Sequence, residues 1–288
     1  MHSQDTVSYF QPQDREPFEP ELIFIPAGEF LMGEKKGLAE RTVEVAPLFE
    51  DAYVGGVPGI QQRVHLPAFA IAKTPVTNAQ YAAFLQDTGH GRPRRWRSDK
   101  APRGKESFPV IFVTWHDAVA YCRWLAGASQ KPFRLPTEAE WEKAARGTNG
   151  RAYPWGNRWE EGRCNTAEAE LKGITAVDAY PRGAGPYGLL DMAGNVWEWT
   201  ASLWGADWYR ADYGYPYDAS DGREDPEASD DICRVLRGGS FAYAGAFARC
   251  AYRYKHFPQN SSDGIGFRVV LTLPLPVDEA LPDASGLS

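Results

Sequence analysis

The pattern of apolar and polar positions predicts three short helices in a chain otherwise made of short strands and turns. In NAQYAAFLQDTG, three apolar residues recur at helical spacing, and Thr77 with Gln80 has the spacing of a capping box. RLPTEAEWEKAARG repeats the signal with Thr137 and Glu140. Gly89 and Gly147 are placed to end these two helices.

A further helix is predicted after FPVIFVTW, a run of apolar residues typical of a buried strand. In this helix the apolar residues Val119, Cys122, Leu125 and Ala126 lie at helical spacing. We expect His116, at the start of this helix, and Glu140 and Glu142, on the following one, to be surface or capping groups.

Two segments near the N-terminus predict strand pairs. ELIFIPAGEFLMG alternates β-formers around a Pro-Ala-Gly turn, which favours a hairpin from Leu22 to Met32, and VHLPAFAIAKTPVT predicts a second strand pair. After Arg151 the helical period is lost, and short strands with long loops are expected. With no repeat and no clear linker, we predict an arm over residues 1–20, one domain over 21–273 and a tail over 274–288.

Composition changes this picture mainly by exclusion. The 288 residues are 43% hydrophobic and 13% aromatic, so a substantial core can form, while 28 Gly and 22 Pro indicate many turns. A net charge of −7 argues against general binding to nucleic acid or anionic membranes, although the run from Arg92 to Lys100 is basic. No apolar span or signal sequence is evident, so we expect a cytoplasmic protein.

The four cysteines lack C-x-x-C spacing and are expected to be mostly buried thiols, with a bridge involving Cys164 or Cys233 left open. The segment RVLRGGSFAYAGAFARCAYRYKHFPQNSSDGIGFR, residues 234–268, surrounds aromatic and very small side chains with glycines and arginines. It offers contact area, with no cluster of acid–base or redox groups. Arg237, Arg253 and Arg268 are expected to pair with buried acids or carbonyls.

Eight ordered motifs carry a family resemblance: FIPAGEFLMG, KTPVTNAQYAAFL, VTWHDAVAYCRWL, RLPTEAEWEKAARG, YPWGN, YGLLDMAGNVWEWT, RVLRGGS and GIGFR. Together they resemble the formylglycine-generating enzyme, or sulfatase-modifying factor, family over about Leu22 to Val270. The resemblance implies an α+β, C-type lectin-like fold with low regular secondary structure, few short helices and short antiparallel strands.

The resemblance also implies structural calcium, an ion that prefers six to eight oxygen ligands. One implied site uses Asp191, the carbonyls of Gly194 and Val196, and Glu198. A second would use Asn165 and the carbonyl of Thr166, followed here by a short loop with only Glu168 and Glu170 nearby. Hydrogen-bonded turns without metal remain the alternative at both places.

Catalytic members of the family bind copper through two cysteines shortly after the Gly-Gly-Ser. Here Gly238, Gly239 and Ser240 are followed by FAYAGAFARC, which lacks that pair, and Cys250 aligns with a non-catalytic cysteine. A sulfoxide-synthase branch uses iron bound by H-x-x-x-H-x-E. None of the histidines has this spacing: they are His2, His65, His90, His116 and His256. Neither copper nor iron is therefore expected.

A third branch, the variable proteins of diversity-generating retroelements, keeps the same motifs and varies the residues between them by mutating adenines in asparagine codons. Ordinary drift remains the alternative origin of such residues here. The predicted ligand-binding residues are Phe241, Ala242, Tyr243, Ala244, Phe247, Tyr254, His256, Phe257, Ser261, Ser262, Asp263 and Gly264.

The sequence thus predicts a non-catalytic domain that binds a protein or small-molecule ligand, with an oxygen-dependent oxidoreductase using an unrecognised metal site as the alternative. The acidic charge favours a neutral or basic partner. The Trp204 to Asp231 region, expected as strand-rich loops, would rim the same surface or form homodimer contacts.

Overall fold

Two four-stranded sheets, a separate strand pair and three helices form the fold in the computed structural model, which describes residues 15–34 and 60–274. The strands are β1 Leu22–Ile25, β2 Gly28–Gly33, β3 Gln61–Leu66, β4 Phe69–Ala72, β5 Phe133–Arg134, β6 Trp197–Gly205, β7 Cys233–Arg237, β8 Tyr254–His256, β9 Ile265–Phe267 and β10 Val270–Thr272. The helices are α1 Asn78–Thr88, α2 Trp115–Ser129 and α3 Glu138–Arg146. Short strands and few helices confirm the predicted α+β class.

The predicted hairpin from Leu22 to Met32 is wrong in its pairing. Strand β1 pairs with β4 in the sheet β1-β4-β10-β5, whereas β2 pairs with β3 in a separate ribbon. The strands predicted in VHLPAFAIAKTPVT form, but they also pair with these earlier strands and not with each other. Each pair of consecutive strands is joined by two residues that include a proline, Pro26 or Pro67, and the chain bends there from one sheet into another.

All three helices begin at a capping box. Thr77 with Gln80 and Thr137 with Glu140 are confirmed, and the chain leaves both helices at the predicted glycines. The α2 box, Thr114 with Asp117, was not predicted. Each cap satisfies backbone N–H groups that the first helical turn leaves unpaired, which stabilises the helix start by about 1 kcal/mol.

The strand predicted at FPVIFVTW does not form. Pro109 makes a single isolated bridge to Thr77, and Phe112 has a left-handed backbone with φ of 59°. A proline and a positive φ interrupt a regular strand ladder. The segment is instead fixed by single bonds, including one of 2.9 Å from the Phe112 N–H to the Ser262 carbonyl.

The second sheet has the order β8-β7-β6-β9, with β6 parallel to β9. The segment 241–264 follows β7, contains β8 and leads into β9. Strands of this sheet therefore flank both of its ends. Residues 206–232 contain no strand, and the expectation of strand-rich loops there is wrong. The backbone of this region instead forms bends and turns.

The predicted arm lies partly outside the described residues. Within residues 15–20, Phe18 packs against Trp124 with ring centroids 5.3 Å apart, and Glu19 accepts a 2.6 Å bond from Lys131. Residues 1–14 and the tail from 275 lie outside the described part, so both boundaries stay predictions. In the described ranges, no helix combines the length and apolar character needed to cross a membrane.

Candidate ligand-binding surface

The segments RVLRGGS and GIGFR, here called the glycine–arginine frame, are built for close backbone approach. Gly238 and Gly239 have φ of 101° and 79°, where residues with a side chain are strained. A Cβ on Gly239 would lie 3.0 Å from the Ala248 Cα, and one on Gly266 would lie 2.7 Å from the Val110 carbonyl oxygen. These contacts fix the two ends of the segment between them.

Three arginines confirm the prediction of pairing with buried acids. Their pairs are Arg237 with Glu142, Arg253 with Glu138 and Arg268 with Glu198. The side chains of all six residues are fully buried. Arg268 is bidentate, with Nε and Nη2 lying 2.6 and 2.7 Å from the two Glu198 oxygens. The frame is therefore fixed from inside the protein, which leaves its outer side available for contacts.

The expectation that Glu142 is a surface or capping group is wrong, because it is fully buried. It accepts hydrogen bonds from the Gly33 N–H, from Arg146 and from Arg237. Burial by itself raises the pKa of Glu142, but Arg237 and Arg146 outweigh that effect and hold the pKa below its ordinary value. Glu140 caps α3 as expected and also binds Arg134 with both oxygens. His116 is half exposed and lies 2.9 Å from Asp230.

Most predicted ligand-binding residues reach the surface. The buried exceptions are Phe247, Tyr254 and Gly264, which lie beneath the others. The accessible residues are Phe241, Ala242, Tyr243, Ala244, His256, Phe257, Ser261, Ser262 and Asp263. Their side-chain types provide flat apolar area separated by small gaps, a combination that suits recognition.

The buried ring of Tyr254 links two parts of this surface. Its centroid lies 6.0 Å from that of Tyr243 on one side and 6.5 Å from that of Trp208 on the other. Trp208 also stacks on Phe257 at 5.9 Å and meets the edge of His256 at 5.5 Å. We define the aromatic surface as Trp208, Phe241, Tyr243, His256 and Phe257.

Trp208 belongs to the aromatic surface but was not among the predicted ligand-binding residues. It lies in the Trp204 to Asp231 region, which was expected to rim the surface or to mediate dimer contacts, and its contacts with His256 and Phe257 favour the first of these. Lys255 lies 4.5 Å from the centre of the Trp208 ring, so a buried ammonium group supports the ring by a cation–π contact. A lone tryptophan in a loop gave no sequence signal for this contact.

Comparison with known proteins decides the family. A family model described as the sulfatase-modifying factor enzyme 1-like domain matches residues 7–273. The chain belongs to this family. A formylglycine-generating enzyme of Streptomyces coelicolor is 33% identical over 304 residues, covering 85% of this chain and 87% of that protein. An inactive C-alpha-formylglycine-generating enzyme 2 of Bos taurus is 38% identical over 193 residues, covering 60% and 54%.

The fold is shared with variable protein 1 of Treponema denticola. Its structure matches with a TM-score of 0.65 and 22% identity, covering 87% of this chain and 94% of that chain. The expected formylglycine-generating enzyme-like, C-type lectin-like architecture is confirmed. The sulfatase-modifying factor family thus includes relatives named as enzymes and relatives named as inactive.

In this member of the sulfatase-modifying factor family, the four cysteines do not meet. All are buried free thiols, and they lie in four separate apolar clusters: Cys122, Cys164, Cys233 and Cys250. The bridge left open for Cys164 or Cys233 is not formed. Burial raises the pKa of Cys250 to about 12, and its backbone carbonyl, not its sulfur, binds Arg237. The two-thiolate copper ligand set of the family therefore has no counterpart beside Gly238 and Gly239.

The residues implied for calcium by the family resemblance give a mixed fit. Asp191 is buried and accepts one 2.9 Å bond, from Asn195, and burial raises its pKa to about 7. Its carboxylate is thus short of compensating partners, as a cation ligand would be. Glu198 is already bound by Arg268 and by the Trp141 indole N–H at 2.7 Å. A calcium ion at this first site would share Glu198 with Arg268.

The second implied calcium site contains an orphaned acceptor. The Asn165 side-chain oxygen is buried and has no hydrogen-bond partner within the described residues, whereas its side-chain nitrogen donates to the Gly173 carbonyl. The Thr166 carbonyl accepts from the Ala169 N–H at 2.9 Å. Glu168 is directed away to the Gly245 N–H at 2.8 Å. In residues 15–34 and 60–274, no group of three or more His, Cys, Asp or Glu side chains could hold a metal ion. The first site would therefore need backbone oxygens beside its two carboxylates, and the second would depend on amide and backbone oxygens.

Proposed function

We propose that this member of the sulfatase-modifying factor family is a non-catalytic binding domain that recognises a protein or small-molecule ligand through its aromatic surface. The observation that carries the proposal is the contrast between the two sides of segment 241–264. Its inner side is fixed by buried ion pairs, and its outer side presents aromatic rings and alanines. Rigid rings bind with little loss of side-chain entropy, which favours recognition.

Retroelement diversification remains part of this proposal. Nine of the twelve positions assigned to ligand binding are accessible, and the frame that flanks them is buried. Variation at accessible positions would change the ligand without disturbing the ion pairs beneath. A reverse-transcriptase gene beside this locus, with a near-copy of the codons for residues 234–268 differing only at adenines, is the expected finding. Copies that differ at other bases would contradict it.

Selection from a peptide library tests the binding role directly. Peptides displayed on phage and selected against the purified chain should lose at least tenfold in affinity when Phe257→Ala or Trp208→Ala removes a ring from the aromatic surface. Phe24→Ala is the matched control, because Phe24 is also an exposed phenylalanine but lies on β1. Selected peptides that bind all three variants as tightly as the unmodified chain would refute the assignment of the surface.

The alternative is an oxygen-dependent oxidoreductase that uses an unrecognised metal site. Relatives named as enzymes support this alternative. Metal content separates the two functions. Stoichiometric copper or iron in the purified chain would support the oxidoreductase, and calcium alone is the result expected for the binding domain.

A further inference from the structure

One buried indole differs from the others in its hydrogen bonding. Five tryptophans are buried, and four of them donate their indole N–H to a protein oxygen. These four donate to Thr200, Glu198, Val113 and Asp207 at distances of 2.9, 2.7, 3.1 and 3.0 Å. The fifth, Trp197, is 2% exposed, and its Nε1 has no hydrogen-bond partner within the described residues. A buried donor without an acceptor is uncommon in folded proteins.

Trp197 lies directly under the aromatic surface. Its ring stacks on that of Tyr254 with centroids 5.0 Å apart, and the edge contact with Tyr243 is at 5.5 Å. Tyr252 lies on a further side at 5.9 Å. Tyr252 and Tyr254 are buried, whereas Tyr243 is partly exposed. Tyr243 is therefore the partly exposed member of the three tyrosines whose rings contact Trp197.

Two hydrogen bonds fix the backbone of Tyr243 without involving its side chain. Its N–H donates to the Ser240 carbonyl at 3.1 Å, and its carbonyl accepts from the Ala167 N–H at 2.9 Å. Its neighbours in the chain are Ala242 and Ala244, and its ring contacts those of Trp197, Tyr254 and Phe247. A change of χ1 at Tyr243 would leave both backbone bonds intact.

We propose that a flat, uncharged ligand group bearing a hydrogen-bond acceptor displaces the Tyr243 ring, stacks beside Tyr254 and accepts the Trp197 indole hydrogen. An anionic group is disfavoured, because a buried charge needs a partner and the nearby Arg249 is already paired with Glu34. The inference rests on the proposed binding function and deepens it, since it assigns the ligand group that anchors at the surface. The class includes aryl ketones and carboxamides.

Acetophenone is the probe, and ethylbenzene, which has a methylene in place of the carbonyl, is its matched control. In ¹H–¹⁵N spectra of the full chain, the Trp197 indole resonance should shift downfield on titration with acetophenone and not with ethylbenzene. Acetophenone should bind about threefold to tenfold more tightly than ethylbenzene, the range expected for one net hydrogen bond. Tyr243→Ala should bind acetophenone more tightly, because no ring has to be displaced, and Phe24→Ala should leave binding unchanged.

The Trp197 resonance is assigned from its disappearance in Trp197→Phe, or from its nuclear Overhauser contacts to Tyr254 if that variant does not fold. A Trp197 indole resonance that acetophenone leaves unchanged would overturn the inference. Shifts at Trp208 and Phe257 without a shift at Trp197 would also overturn it, while the proposed binding function would stand.

Discussion

Arg237 and Arg268 of the glycine–arginine frame each pair with a glutamate from another element, so individual buried charges decide whether segment 241–264 keeps its shape. Glu142 connects Arg237 of β7 with Arg146 of α3. The Arg237 guanidinium also donates to the Cys250 carbonyl at 2.7 Å. One carboxylate therefore links a helix, a strand and the segment that carries the surface.

Replacing Glu142 with Gln should destabilise the protein strongly. The change leaves Arg237 and Arg146 buried without their anionic partner, a loss of about 3 kcal/mol in the free energy of unfolding. Urea unfolding measures the difference. Glu29→Gln is the matched control, since its pair with Arg63 is exposed and should contribute less than about 1 kcal/mol. Equal effects of the two substitutions would contradict the role given to Glu142.

Glu224 makes the stability of the protein depend on pH. Its pKa is raised from an ordinary value of 4.5 to about 7, chiefly by burial and also by Glu138 and Glu140, against a hydrogen bond from Ser202 and the charge of Arg223. Between these two values the folded chain binds more protons than the unfolded chain, so this contribution to stability falls as pH rises from about 4.5 to about 7. Above about pH 7 Glu224 is ionised in the folded chain, and the whole destabilising effect of its burial is present.

Glu224→Gln should therefore stabilise the protein by about 1–3 kcal/mol at pH 8, because the neutral amide avoids the cost of a buried charge. Near pH 4.5 the variant and the unmodified chain should have similar stability. Unfolding free energies at several pH values give the comparison. A variant that is less stable than the unmodified chain at pH 8 would show that the ionised carboxylate is needed.

Pairing of Arg237, Arg253 and Arg268 with acids was predictable from the sequence, because a buried guanidinium needs an anionic or carbonyl partner. Which acids would serve was not, since Glu142 lies 95 positions from Arg237 in the chain and its burial depends on the packing of α3. Trp208 was missed for the same reason.

Among the helices and strands, features set by neighbouring residues in the chain were predictable. The α1 and α3 capping boxes lie within four consecutive residues, so their sequence spacing fixed the helix starts. Strand partners were not predictable in this way: β1 and β2 pair with strands that follow a long intervening segment. The Pro-Ala-Gly sequence marked a change of direction, but it did not distinguish a hairpin from a corner between sheets.

Thr137→Ala tests the start of α3, the helix that supplies Glu138 and Glu142. The Thr137 hydroxyl accepts from the Glu140 N–H at 3.1 Å, and losing this cap should cost about 1 kcal/mol in the free energy of unfolding. Thr148→Ala is the control, because Thr148 is exposed just after the end of α3 and its loss should change stability by less than about 0.5 kcal/mol. Thermal denaturation followed by circular dichroism measures both variants. A Thr137→Ala variant as stable as the unmodified chain would show that this cap does not stabilise the protein.

For the molecule as a whole, the family was predictable because eight motifs occur in one order. The ligand depends on side chains that those motifs do not fix.

Calcium binding is a proposal for the whole molecule. The Asn165 side-chain oxygen has no hydrogen-bond partner within the described residues, and the buried Asp191 carboxylate accepts one hydrogen bond, from Asn195. Added calcium should raise the melting temperature and chelator should reverse the change, by mass action on the folded state. Asp191→Asn should weaken the response, and a melting temperature that ignores calcium would exclude the proposed sites.

We propose that the aromatic surface recognises a ligand and that the chain does not activate oxygen beside Gly238 and Gly239. Oxygen uptake by the purified chain, supplied with copper and a cysteine-containing sulfatase peptide, distinguishes this proposal from an oxidoreductase. We predict uptake no faster than that of a matched sample with peptide and copper alone. Sustained, enzyme-dependent oxygen consumption with conversion of the peptide cysteine to an aldehyde would contradict it.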